Sequence, residues 1–239
     1  MTGLDRARRM GQRLMREMER AGLSQEANGS VVAAYHRSMD LRQTRFPGER
    51  HPGYLHPART VLILLRDVEE RDPDTLAAAA ITDTWWEEAE PHDVGPVGGA
   101  GAGAMALRSA LPRPRADGLD AVGGHESAGD HPAAERGGPE PAGEDPDGDQ
   151  VFTEALVLAD TKVRRLALAE RLDHLRHLHL LGPADGLDRD RAVLEHRRAS
   201  TVYLPVAART DEVLERRYQH WCRVFQRRLR QGNPHGRVG

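Results

Sequence analysis

Five polar residues have the types and spacing to hold a divalent cation. Glu170, His174 and His177 stand at i, i+4 and i+7, so on a helix they share one face. His56 directly precedes Pro57 at the start of an apolar segment, and Asp83 follows the alanine run at residues 77–80. A carboxylate and an imidazole one helical turn apart can ligate a single cation, with His56 and Asp83 arriving from other helices. Mixed nitrogen and oxygen donors suit Mn²⁺, Fe²⁺ or Zn²⁺. With 12 histidines in the chain, the same spacing also arises on a solvated helical face. The residues alone leave both readings open. A second group lies in AAAAITDTWWEEAE (residues 77–90), where Asp83 is followed by Glu87, Glu88 and Glu90. The position before Asp83 is Thr82, whose neutral hydroxyl is a poor substitute for an imidazole.

These residues need helices to hold them. Leu4, Ala7, Met10, Leu14 and Met18 recur every three or four positions, which predicts an amphipathic helix over residues 4–21 with a basic outer face. A second helix is expected over residues 25–41, followed by the loop-like RQTRFPGERHPGY. Pro57 suits a first helical turn and leads into the apolar ARTVLILLRDV. Asp72 then caps and Pro73 opens the next helix, making residues 54–88 a helical hairpin. Its alanines let the two helices pack closely.

From residue 91 to about 150 the chain is rich in glycine and proline and poor in apolar residues. Such composition cannot offset its ordering entropy and predicts a long flexible insertion, with MALRSALPRPRADGLDAV able to form one or two small helices. Order is expected to resume at VFTEALVLADTKVRRLALAERLDHLRHLHLL, with Asp160 as N-cap and Val163, Leu166, Leu172 and Leu175 facing the core. Two further helices, over residues 191–208 and 211–229, flank VYLPVA, where Pro205 imposes a kink or break. The expected organisation is a basic N-terminal helix at 1–22, a single helical domain at 23–229 and a disordered tail at 230–239.

Composition supports an all-α fold. Of the 239 residues 38% are hydrophobic but only 4% aromatic, so the core must be built from Leu, Val and Ala rather than from aromatic strands. A net charge of -3 provides no global field for nucleic acid or an anionic membrane. No apolar run reaches the roughly 18 residues of a membrane span. The single cysteine, Cys222, rules out an intrachain disulfide and, with the charged N-terminus, points to a cytoplasmic protein.

Five stretches in order resemble the HD-domain phosphohydrolases, specifically the (p)ppGpp hydrolase domain of RelA/SpoT-type proteins and their standalone small alarmone hydrolase relatives. They are RQTRFPGE (42–49), YLHPARTVLILL (54–65), DPDTLAAAAITDT (72–84), ALAERLDHLRHL (167–178) and VYLPVA (202–207). The resemblance implies a compact multi-helix all-α fold. It places the family's first metal-binding His on His56 and its His-Asp pair on Thr82-Asp83, with the Asp kept and the His absent. The late metal-binding Asp falls on Glu170 and the substrate-contacting Asn on His174. The acid pair that assists the attacking water falls around Glu87 and Glu88, and a basic residue near the nucleotide base falls on Arg45.

The implied chemistry is one Mn²⁺ that activates water against the 3′-pyrophosphate of ppGpp, with paired carboxylates handling the proton. Two functions follow as expectations. One is a metal-dependent guanosine 3′,5′-bis(diphosphate) 3′-pyrophosphohydrolase. The other is a degenerate HD-fold protein that binds a purine nucleotide or a protein partner without hydrolysis, because Thr82, Glu170 and His174 all depart from the pattern. His92-Asp93 is a literal His-Asp pair, but it lies between Pro91 and a glycine-rich stretch that supplies no rigid support. Trp85, Trp86 and Tyr203 read as packing residues, and Arg197 and Arg198 as a solvated face.

Overall fold

Aspartate and proline set most of the helix starts. The structure, a computed structural model, describes residues 3–43, 52–81, 102–112, 146–180 and 188–231, and among these no strand occurs. Helix α1 (Gly3–Arg20) leads into α2 (Gln25–Gln43), and α3 (His56–Arg66) opens with Pro57 in its first turn. Asp72 caps α4 (Pro73–Ala80), its carboxylate accepting the Thr75 amide at 2.9 Å and the Thr75 hydroxyl at 2.6 Å. Asp160 does the same for α7 (Thr161–His177) through the Lys162 amide, and Asp211 for α10 (Glu212–Arg230) through the Val213 and Leu214 amides.

Helices α3, α4 and α7 form the centre. α3 packs against both α4 and α7, and α2 lies along α4. Leu14 and Met18 of α1 are fully buried, so this helix contributes core as well as a charged outer face. Two hydroxyls tie the layers through backbone carbonyls: Tyr35 donates to Ala7 at 3.0 Å and Ser38 to Ala80 at 2.6 Å. On the other side, α10 is fastened to α7 by Tyr218 donating to Leu168 and by the Trp221 indole donating to Leu175, both at 2.7 Å. Val163, Leu166, Leu172 and Leu175 line the buried side of α7, as their spacing requires.

Pro205 acts as expected but with a specific geometry. After α8 (Arg189–Arg198) the chain widens into a π-helical turn (Ala199–Tyr203), where the Leu204 amide reaches back to the Ala199 carbonyl, before α9 (Leu204–Ala208). The wider turn makes room for the proline ring ahead of a carbonyl it would otherwise strike.

Within the glycine-rich segment one helix, α5 (Ala102–Ser109), packs on α4, and α6 (Pro146–Leu158) begins near the segment's end. The contact with α4 depends on small residues. Ala104 and the alanines at 77–80 are buried, and a Cβ at Gly103 would lie 2.0 Å from Asp74 Oδ2. Small side chains here permit close helix approach, which bulkier apolar side chains would prevent.

Candidate functional site

The helices converge on the acids of α7. His56, the first residue of α3, is buried beneath the loop-to-helix junction that Pro57 fixes. Its Nδ1 lies 2.6 Å from Oδ2 of Asp173, one of the most buried polar residues at 1% exposure. Arg59, one turn further along α3, donates Nε to both Asp173 oxygens, at 2.8 Å and 3.0 Å. Burial raises the Asp173 pKa, but the His56 hydrogen bond and charge and the Arg59 guanidinium outweigh it, holding the carboxyl well below the usual carboxylate range. An ionised carboxylate only accepts, so the proton between the two sits on His56 Nδ1. His177 donates its own Nδ1–H to the Asp173 carbonyl at 2.8 Å, and burial pushes this imidazole below its ordinary pKa despite the nearby carboxylate.

One turn before Asp173, Glu170 is also buried, and it pairs with Arg108 of α5. The Arg108 side chain is fully enclosed, and two of its guanidinium nitrogens, Nε and Nη2, have no partner among the described residues. Two successive turns of α7 therefore each carry a buried carboxylate held by an arginine from another helix.

Of the residues expected from the sequence, His56 on α3 and Glu170 on α7 are both buried within the described residues, and His174 is half-buried on α7. Asp83, Thr82, Glu87, Glu88 and Arg45 lie outside the described residues, as do the His92-Asp93 pair and Trp85 and Trp86. Three residues central to the site had no role assigned from the sequence: Asp173 and Arg59, which lie within the matched stretches, and Arg108, which lies outside them. Asp173 had one available signal, since it extends the buried stripe of Leu166 and Glu170 by another turn.

The donor set was tested against the divalent cation that the resemblance implies. Among the described residues no three His, Cys, Asp or Glu side chains gather as a cation site. The Glu170 carboxylate is already neutralised by a guanidinium. The His56 Nδ1–H, given to Asp173, orients the ring and leaves Nε2 as the nitrogen that could ligate. Paired with Arg108, Glu170 is not available to a divalent metal, whereas the Arg59 guanidinium and the oriented His56 imidazole that share Asp173 suit an anionic ligand.

Neither a family model nor a curated protein matches the sequence. A solved structure described as "A metazoan ortholog of SpoT hydrolyzes ppGpp and plays a role in starvation responses" is similar to this chain with a TM-score of 0.55 at 19% identity. The match covers 86% of this chain and 97% of that one. The likeness is one of fold, and it agrees with the all-helical architecture of the described residues.

Proposed function

We propose that this chain is an HD-domain phosphohydrolase-like protein that binds a purine nucleotide of the ppGpp class, with binding rather than metal-dependent hydrolysis as its principal activity. The observation that carries this reading is the Arg108–Glu170 pair, which commits the acid expected to ligate a metal to a cation of the protein itself. The fold likeness to a protein described as hydrolysing ppGpp supports the ligand class. His56 and Arg59, fixed on Asp173, supply positive and hydrogen-bonding character suited to phosphate groups. Equilibrium binding of ppGpp to the full chain tests the proposal, and failure to bind ppGpp or a related purine nucleotide overturns it.

A second reading keeps the reaction. The same fold likeness, together with the buried and oriented imidazole of His56, favours a guanosine 3′,5′-bis(diphosphate) 3′-pyrophosphohydrolase dependent on a divalent metal such as Mn²⁺. In that reading Asp83, Glu87 and Glu88 supply the remaining acids, and Arg45 and His174 contact the nucleotide. Turnover of ppGpp in the presence of Mn²⁺, lost in Asp83→Ala, separates it from the first.

A further inference from the structure

We propose that Arg108 takes the place of a divalent cation on Glu170, so that the site's positive charge is a permanent part of the chain. This rests on the nucleotide-binding reading above and extends it: recognition of the phosphorylated ligand is independent of metal.

The reasoning begins with Glu170. A carboxylate 5% exposed inside a helical core must be neutralised, because an isolated charge there costs far more than the fold can supply. In a metal site the cation does this. Here Arg108 does it, the one bulky side chain of α5 that is fully buried. The sequence around it fits the purpose: Gly103 and Ala104 let α5 approach α4 closely enough for the Arg108 side chain to reach α7.

The guanidinium is also incompletely used. Glu170 engages Nη1, while Nε and Nη2 are enclosed without a partner among the described residues. Enclosed donors of this kind are normally satisfied, so these two are positioned for an oxygen from outside the chain, as a phosphate group would supply. The neighbouring turn repeats the substitution, with Arg59 on Asp173. Both buried acids of this face of α7 are thus matched to arginines.

The full chain is titrated with Mn²⁺ alone, with free Mn²⁺ followed by electron paramagnetic resonance and the Tm recorded in parallel. The wild type is expected to show no saturable Mn²⁺ site and no Tm shift between Mn²⁺ and EDTA. Arg108→Ala is expected to lower the Tm by leaving the Glu170 carboxylate buried without its cation, and the R108A/E170Q double variant to recover part of that loss. One equivalent of Mn²⁺ on the wild type that disappears in Glu170→Gln overturns the proposal, as does an R108A/E170Q chain no more stable than R108A. Should R108A fail to fold, the R108M/E170M double variant decides. Mutual neutralisation predicts a Tm above that of R108M or E170M alone, and a double variant no more stable than the singles overturns the pairing. A parallel ppGpp titration in EDTA keeps the two readings distinguishable, since a wild type that ignores ppGpp contradicts the nucleotide reading without altering the Mn²⁺ outcome.

Discussion

His56 and Asp173, 117 residues apart in the chain, meet through a 2.6 Å contact between Nδ1 and Oδ2 at the junction of α3 and α7. The contact fixes which imidazole nitrogen carries the proton, and it joins the two helices on which the site is built.

Asp173→Asn is expected to destabilise the fold by about 3 kcal/mol, since it leaves the buried His56 and the Arg59 guanidinium without their common anion. Arg59→Met should cost less, because the Arg59 side chain is 21% exposed and water can compensate Asp173 in part. Urea unfolding monitored by circular dichroism ranks the two, and equal losses would contradict the central place of Asp173.

Asp72 makes a prediction about pH. Burial raises its pKa, but the Thr75 hydroxyl, the Thr75 amide and Lys162 lower it further, leaving it below the ordinary carboxylate value. A depressed folded-state pKa means the contribution is present above the unfolded value, near ~4, and is lost as pH falls through the folded value. Asp72→Ala is expected to cost about 1 kcal/mol at neutral pH, the usual value of an N-cap. Asp72→Asn should retain much of the cap while flattening the acid limb of the stability curve. An unchanged acid limb in D72N would show that Asp72 does not contribute to it.

Cys222 is a chemical probe of packing. The thiol is on the buried face of α10, and burial pushes its pKa up to about 11. Thiolate is the reactive form, so the native protein should react negligibly with a disulfide reagent at pH 7.5 and fully once unfolded. Rapid native modification would mean that α10 opens freely from α7.

The helix-starting signals were plain in the sequence. Pro57, Asp72-Pro73 and Asp160 each combine a local hydrogen bond or a fixed backbone angle with the start of an apolar stripe, and all of that information lies within a few residues. The site was legible only in part. His56 and Glu170 carry motif signals, but the partners that decide their chemistry are distant: Asp173 for His56, and Arg108 for Glu170, 62 residues away. Arg108 was hidden for a further reason. It lies in a glycine- and alanine-rich segment outside the five stretches that carry the resemblance, and only the packing of α5 on α4 brings it to the core.

The central claim is that this fold binds a ppGpp-class nucleotide using charges of its own. It is tested most directly by titrating the full chain with ppGpp in EDTA and again in Mn²⁺, while analysing the same samples for released pyrophosphate. The account predicts equal affinity in the two buffers and no pyrophosphate. Binding that requires Mn²⁺, accompanied by pyrophosphate release that Asp83→Ala abolishes, would contradict it.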